Sequence, residues 1–257
     1  MKLLVNKKEK RFRGFTGIWK GLKIFLEEYP EAIHDGARVV VGVSGGKDSL
    51  VLSYIVEILR KSKNFEVEYV FVDAGFLEKE KISKFKCEFE RIIGRELLIL
   101  KHHEIKNAVV EALDEYNACF TCSRLRRKWL FEYCRNRAEV LMLGHHRDDV
   151  VVSLLMSMLF SARIETMLPV KPIFNATLKL VRPLYFVWEK DIRSFVKSKG
   201  WKLLDKSCNY ADDTGRKYVE DVYHYMVRKE PRLFKFNLFN SIKAVKRSGI
   251  LKLHPYT

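Results

Sequence analysis

The sequence predicts an α/β protein: a doubly wound, mostly parallel five-stranded sheet with a basic helical C-terminal extension. Three observations predict it. Short, almost wholly apolar runs recur along the chain, the pattern of strands covered on both faces. A segment of helical period separates each run from the next, and that rhythm builds parallel sheets through right-handed crossovers. The chain has 257 residues, 47% of them hydrophobic, enough for a packed core and too many for global disorder.

Residues 14–29 alternate at helical period and stop before Pro30. Arg38 to Val43 (RVVVGV) is the first strand, followed by a Gly-rich turn and an apolar helix from Leu50 to Leu59. Val67 to Val72 is the second strand, ending at Asp73; Lys79 to Ile93 is an amphipathic helix and Glu96 to Leu100 the third strand. A helix runs to about Tyr116, then come Cys119 and Cys122, which open a basic helix over Arg124 to Arg137. Ala138 to Leu143 is the fourth strand, ending in Gly144; Asp148 to Phe160 is an apolar helix. Residues 161–177 read as a loop, Thr177 to Val181 as the fifth strand, and Glu189 to Lys199 as a helix closed by Gly200. The expected division is a basic helical extension over 1–34, an α/β domain over 35–205 and a basic helical segment over 206–257.

Charge narrows the partner. Lys and Arg number 48 against 32 Asp and Glu, a formal net charge of +16. Residues 1–24 hold eight cations and one acid, 123–137 six and one, and 214–257 ten and three. A solvated helix face interleaves signs, whereas one-sided clusters are a footprint for a polyanion such as nucleic acid or a membrane surface. Phe12, Phe15, Trp19, Trp129, Tyr218 and Tyr223 lie among these clusters, where they stack on bases or, at helical spacing, fill a core. No apolar run reaches the roughly 18–20 residues of a membrane span. The basic N-terminus is not followed by an apolar stretch and cleavage site, so no secretory signal is expected and the location is cytoplasmic.

Five cysteines form an odd set, and with no export signal disulfides are not expected. Cys87 and Cys134 sit in helical patterns and read as packing residues. Cys119 and Cys122 form a CxxC: a zinc knuckle needs two further ligands, and a thioredoxin-like pair belongs to a different βαβ setting. A helix start and neighbouring arginines favour the thiolate form.

The strongest motif is Ser44-Gly45-Gly46-Lys47-Asp48-Ser49, set between a strand and a helix. Two glycines let backbone N–H groups approach a phosphate, and the helix N-terminus favours negative charge. Ser44 and Ser49 can donate to phosphate oxygens, Lys47 adds charge, and Asp48 suits Mg²⁺ held against phosphates. It is not a Walker A loop, because Gly42 stands one residue too close to Lys47 and Asp48 replaces the Ser or Thr. In this setting SGGKDS resembles the PP-loop ATP pyrophosphatase superfamily. The resemblance implies cleavage of ATP between the α and β phosphates, adenylation of a substrate, and a five-stranded parallel sheet.

Gly144-His145-His146-Arg147-Asp148-Asp149 follows the fourth strand. On the residues alone it is a metal cluster or a helix start whose acids complement the dipole. It resembles the matching motif of tRNA-modifying PP-loop enzymes, the lysidine synthetases and thiolation enzymes among them. That implies one of Asp148 and Asp149 orienting Mg²⁺ or the nucleotide opposite Asp48, with Gly144 and His145 at the nucleotide and Asp73 near the same cleft. Cys119 to Arg127 (CFTCSRLRR) resembles the tRNA 2-thiocytidine synthetase family closely and the 2-thiouridine enzymes less so. In that group the CxxC and a distant third cysteine hold a [4Fe-4S] cluster with one iron open. Val181-Arg182-Pro183-Leu184 and Glu189-Lys190-Asp191-Ile192 resemble the stretch that leads to that cysteine, which here is Cys208. The resemblance covers about residues 35–210. Two departures stand out: Ala211 occupies the place of a further cysteine of the cytidine branch, and neither end carries the zinc-binding cysteines of the uridine branch.

The implied activity is an ATP-dependent tRNA sulfurtransferase that adenylates the 2-carbonyl of a pyrimidine, cytidine 32 for preference, and replaces the oxygen with sulfur. Arg124, Arg126, Arg127 and Lys128 would meet tRNA phosphates, and a persulfide on Cys122 or Cys208 is the alternative sulfur carrier. The sulfur donor is hydrosulfide, a cysteine desulfurase or a sulfur-carrier protein, and a homodimer is an open expectation. A 2-thiouridine synthetase and a lysidine-type ligase remain as alternatives, the second having no need for three cysteines. A noncatalytic RNA-binding protein would have no need for SGGKDS and GHHRDD.

Overall fold

A computed structural model describes residues 11–111, 115–204 and 215–248. Its strands are β1 (Arg38–Val43), β2 (Glu66–Asp73), β3 (Leu97–Lys101), β4 (Val140–Met142), β5 (Val170–Ile173) and β6 (Leu178–Val181). Its helices are α1 (Phe15–Glu28), α2 (Lys47–Arg60), α3 (Lys79–Ile93), α4 (Glu104–Val110), α5 (Glu115–Cys134), α6 (Arg147–Ser161), α7 (Glu189–Lys199), α8 (Gly215–Lys229) and α9 (Pro231–Ser248). Strand order is β3-β2-β1-β4-β6-β5, parallel except for the β5–β6 pair.

The apolar strand runs arise because both faces of the sheet are covered. In β1, Val39, Val41 and Val43 enter one core with α1, α2, α3, α6 and α7, while Val40 enters the opposite core with Val70, Leu141 and Cys134 of α5. A strand with no solvent face has no reason to alternate. The helices bury one stripe each. Phe15, Ile18, Leu22 and Phe25 of α1 recur every three or four residues and are fully covered. Phe195 of α7 sits among Phe12, Phe15, Tyr54 and Trp201 at ring distances of 5.4–6.2 Å. A side chain buried this way contributes about 1.5–3 kcal/mol. Helices α3 and α7 end at Gly94 and Gly200, both in the left-handed conformation that a glycine cap supplies.

The sheet differs from expectation at its edge. It has six strands among the described residues, not five, because β5 runs antiparallel to β6 through the stretch expected as a loop. Lys171 and Pro172 break its apolar pattern, and an edge strand tolerates proline because one row of N–H groups has no partner to lose. The turn joining the two strands holds Phe174, Asn175 and Ala176 at positive φ, of which only asparagine takes that region readily. A second correction concerns the CxxC. Helix α4 stops at Val110, and α5 starts at Glu115, so Cys119 and Cys122 lie inside a helix rather than at its start. No glycine or proline lies between Glu115 and Cys134 to stop that helix. A helix-terminus effect fades within the first turn, which removes that reason for thiolate character. Cys134 is buried, and burial, reinforced by Glu68, pushes its thiol up to about 12. Cys87 is exposed on α3 and is not a packing residue.

The sheet also fixes where a site can form. From β1 the chain winds through β2 to β3 on one side, then returns to place β4 on the other side of β1. The order reverses between β1 and β4, and ligands of open α/β sheets bind beyond the strand ends at such a point. Both motifs begin there.

Candidate active site

The turn after β1 is shaped by its glycines and by Ser49. Gly45 has a φ of +82°, and a Cβ there would meet the Leu204 side chain at 2.6 Å. Gly46 precedes α2 in extended conformation without a side-chain cap, so the first N–H groups of the helix are available to an anion. Ser49 Oγ accepts from the Ser44 N–H at 3.1 Å and donates to the Gly46 carbonyl at 3.0 Å, which locks the loop from inside. Lys47 Nζ lies 3.0 Å from both Asp48 Oδ2 and Glu189 Oε1. Burial opposes its charge, but the two carboxylates outweigh burial and hold its pKa above the ordinary value. Burial likewise pushes Glu189 up, yet Lys47, helped by Arg193, prevails and draws it down to about 2.

The second motif meets the first through Gly144. A Cβ there would stand 2.9–3.0 Å from backbone atoms of Asp48 and Ser49, so only glycine lets the two loops touch. His146 caps α6 reciprocally: it accepts from the Asp149 N–H at 3.3 Å, and Asp149 Oδ2 accepts from the His146 N–H at 2.9 Å. His146 Nε2 lies 3.6 Å from Asp48 Oδ1. That oxygen is buried and makes no hydrogen bond among the described residues. Asp149 Oδ1 also accepts from Arg216 of α8 at 2.6 Å. Burial raises the Asp149 pKa, but His146, Arg216 and His145 outweigh it and keep the carboxyl below its ordinary value.

Asp148 is committed inside the protein. Its Oδ2 accepts from the Glu189 N–H at 2.8 Å; its Oδ1 accepts from the Tyr223 hydroxyl at 2.9 Å and lies 3.1 Å from Lys235 Nζ. The acid that shares the cavity with Asp48 is therefore Asp149, while Asp148 ties α8 and α9 to the motif. Asp73 is also turned inward: Oδ1 accepts from the Gly75 N–H and Oδ2 lies 2.9 Å from His103 Nε2, closing the turn after β2.

One cavity of about 530 Å³ joins the motifs. Ser44, Asp48 and Ser49 line it at the first loop, and Gly144, His145 and Asp149 at the second. Cys119, Cys122, Arg126 and Arg127 form the wall given by α5, with Arg216 from α8. Phe71, Val72, Phe76 and Leu77 line it where the sequence placed Asp73, which is not in the wall. A smaller space of about 240 Å³ lies on the other side of Asp48 and Asp149, bounded also by Lys47, Glu189 and Glu220. Cys208 lies outside the described residues. Among the described residues no three His, Cys, Asp or Glu side chains are arranged to hold a metal ion. Cys119 and Cys122 nevertheless present two thiols on successive turns to the cavity, which suits a sulfur-bound group completed by a further cysteine.

Sequence reasoning gives no site role to Glu189, Arg182, Arg216 and Lys235, and names Tyr223 only as a stacking or core aromatic. Glu189 opens a helix like any N-terminal acid, and the rest sit in ordinary charged or amphipathic stretches. Of the aromatics flagged among the basic clusters, Phe15 and Tyr223 are core, Trp129 stacks on His102 at 3.8 Å, and Tyr218 is exposed.

A family model described as the PP-loop domain matches residues 20–222. The tRNA-cytidine(32) 2-sulfurtransferase of Legionella pneumophila (strain Corby) is 30% identical over 247 residues, 95% of this chain and 84% of that protein. The enzyme of the same name from Bdellovibrio bacteriovorus is 31% identical over 226 residues, covering 85% of each. Among solved structures, the U34-tRNA thiolase NcsA from Methanococcus maripaludis, determined with its [4Fe-4S] cluster, superposes with a TM-score of 0.67. It is 20% identical and covers 93% of this chain and 81% of its own, a likeness of fold. An NH3-dependent NAD synthetase from Campylobacter jejuni has the same architecture at a TM-score of 0.51 and 13% identity, covering 95% of this chain and 98% of its own.

Proposed function

The chain belongs to the PP-loop domain family, and from that premise we propose that it is an ATP-dependent tRNA sulfurtransferase acting on the 2-carbonyl of a pyrimidine, cytidine 32 for preference. The observation that carries the reading is the single cavity running from the phosphate loop at Ser44–Ser49 to the thiols of Cys119 and Cys122. A lysidine-type ligase has no use for two cysteines in that wall. Relatives at about 30% identity bear the cytidine(32) sulfurtransferase name over most of their length, which supports the same assignment.

The chemistry takes two displacements. The base oxygen O2 attacks the α phosphorus, the Pα–O–Pβ bond breaks, and pyrophosphate leaves. A sulfur nucleophile then forms a bond to C2, the C2–O bond breaks with its electrons, and AMP leaves; the sulfur's proton passes to solvent. Adenylation matters because a carbonyl oxygen is a poor leaving group and AMP a good one. The N–H groups of Gly45, Gly46 and Lys47 with the Ser44 hydroxyl bind phosphate oxygens, and the Ser49 hydroxyl joins them on releasing the Gly46 carbonyl. Lys47 exchanges Asp48 or Glu189 for phosphate, keeping its charge in place. Asp48 Oδ1, buried without a hydrogen bond among the described residues, with Asp149 across the same cavity, is the pair that would hold Mg²⁺. Gly144 and His145 close the nucleotide side. Cys119, Cys122 and Cys208 would hold the [4Fe-4S] cluster, which supplies an activated sulfur when bound. With no cluster, a persulfide on Cys122 or Cys208, loaded by a desulfurase or carrier protein and not by hydrosulfide, would supply the sulfur. A second thiol would cleave its S–S bond, leaving a disulfide for an external thiol to reduce. The exposed cations Arg124 and Lys128 on α5, beside the cavity-lining Arg126 and Arg127, suit the phosphates of a tRNA whose base enters the cavity. The sulfur comes from hydrosulfide or from a desulfurase or carrier protein.

Mass spectrometry of tRNA nucleosides from a strain lacking the protein tests the assignment. Loss of 2-thiocytidine is expected. Loss of 2-thiouridine instead moves the target base to the uridine branch, and loss of no thionucleoside overturns the sulfurtransferase reading. With tRNA, sulfide and α-labelled ATP the purified protein should release AMP and pyrophosphate, and Asp48→Asn should release neither while unfolding at the same denaturant concentration. ADP and phosphate as sole products would sink the adenylation step.

A further inference from the structure

Four arginines converge on His145. Arg126 and Arg127 from α5 and Arg216 from α8 share the wall of the large cavity with it. Arg182, one residue past β6 and only 7% exposed, stands behind them, anchored by its own N–H to the Pro169 carbonyl and by a guanidinium hydrogen bond to the Leu168 carbonyl. Burial, with Arg127 beside it, lowers the Arg182 pKa to about 10. Burial also pulls His145 down to about 4; Asp149 opposes this, and Arg182, Arg127 and Arg216 add to it. Asp149, a carboxylate that faces the group in the same cavity, already accepts from Arg216.

Hydrogen bonding shows the same deficit. Arg126 Nε, Arg182 Nε and His145 Nδ1 are buried and find no hydrogen-bond partner among the described residues. A buried polar group without a partner costs about 1–3 kcal/mol, and more when it is charged. Arg182 is buried and Arg126 half-buried, so salt screens their charge less than that of the exposed Arg127 and Arg216. Excess positive charge and unpaired nitrogens in one place suit an anion with several acceptor oxygens. The PP-loop does not meet this need, because its donors are on β1 and α2, whereas these groups are on α5, α8 and the end of β6.

We propose that Arg126, Arg127 and Arg216, backed by Arg182 and His145, form a second phosphate site in the cavity, separate from the PP-loop and filled by a nucleotide phosphate. This rests on the sulfurtransferase reading. The phosphate is either that of the AMP moiety or the phosphodiester beside the target base. The planar guanidinium fork grips phosphate through two hydrogen bonds, which holds the reacting base or the departing AMP in one orientation. If it holds AMP, the charge that develops as the C2–O bond breaks falls on groups already aimed at it.

The test uses the full chain as wild type, Arg126→Met, Arg216→Met, Lys84→Met and Lys47→Met. Binding of AMP and, separately, of an unmodified tRNA transcript is measured over a range of salt. If the nucleotide supplies the phosphate, both arginine variants lose AMP affinity at least tenfold and keep tRNA affinity within twofold. If tRNA supplies it, tRNA affinity falls at least tenfold, AMP affinity holds, and the slope of log K against log salt falls by about 1. Loss of both with an unchanged unfolding transition also supports the site. Lys84 is exposed on α3, away from the cavity, and measures the effect of removing any one charge. An equal loss of tRNA affinity there, with AMP binding unchanged throughout, overturns the proposal, as do two arginine variants within twofold of wild type on both ligands. Lys47→Met separates the two readings: if it binds ATP as wild type does, the PP-loop assignment fails, while the arginine measurements still decide the second site.

Discussion

Replacing Glu189 with Gln removes a charge from the centre of the phosphate loop while leaving an oxygen that can accept from Lys47. Glu189 is 16% exposed and pairs with Lys47 at 3.0 Å and Arg193 at 2.7 Å. Its pKa falls from the ordinary 4.5 to about 2, which at about 1.4 kcal/mol for each tenfold in proton affinity sets an upper value of about 3.5 kcal/mol. The folded pKa lies below the unfolded one, so this contribution is complete above the unfolded value and is lost as pH falls toward 2. Urea unfolding should therefore show Glu189→Gln less stable than wild type by about 2–3 kcal/mol at pH 7, with the gap narrowing steadily below pH 4.5. A gap that stays constant from pH 7 to pH 3 would mean that Glu189 acts through shape, and no gap at pH 7 would mean that Asp48 alone satisfies Lys47.

Three further outcomes are expected. Gly144→Ala places a methyl group 2.9–3.0 Å from the backbone of Asp48 and Ser49, so the loops must part; ATP affinity should drop more than tenfold in equilibrium binding, and wild-type affinity would mean that the contact is dispensable. If about six tRNA phosphates are neutralised, affinity should fall on the order of 10³-fold between 50 and 200 mM salt in filter binding, and a flat response would reject the basic clusters as a footprint. Cys208→Ala should lose visible iron–sulfur absorption and thiolation while still binding ATP, whereas Cys87→Ala, exposed on α3, should keep all three; normal thiolation by Cys208→Ala would refute the three-cysteine set.

Much of the fold is legible because its signals are local. The pure valine run of β1 cannot serve a half-solvated strand, and Ser44–Ser49 or Gly144–Asp149 bring their glycines and acids together within six residues. Other features are written only in three dimensions. Edge strand β5 is hidden because Lys171 and Pro172 carry the marks of a loop, and pairing with β6 overrides them. The run through Cys119 carries no helix stop, yet its motif invites a boundary there. Asp148 and Asp149 look equivalent in sequence and part company only because Tyr223 and Lys235 arrive from 75 or more residues away to claim Asp148. Arg126 and Arg182 resemble other surface cations until the burial of their Nε atoms sets them apart, and Arg216 until its place in the cavity wall does.

Helix α5 carries sulfur and charge on one face. Cys119, Cys122, Arg126 and Leu130 are spaced by three, four and four residues, and all line the cavity. At 1.5 Å per residue, Cys122 and Arg126 are offset by about 6 Å along the axis and lie nearly above one another. The helix thus acts as a ruler, graduated in turns, on which the distance from thiol to guanidinium cannot be adjusted. Insertion of a single residue between these two positions would swing everything beyond it by about 100°, carrying the cation out of the cavity while the thiols stayed in. Length changes in this stretch must come in whole turns, and even one added turn would lift the charged end about 5.4 Å from the sulfur end. The reach between the two chemistries is set by helical pitch, while their strength is set by side chains.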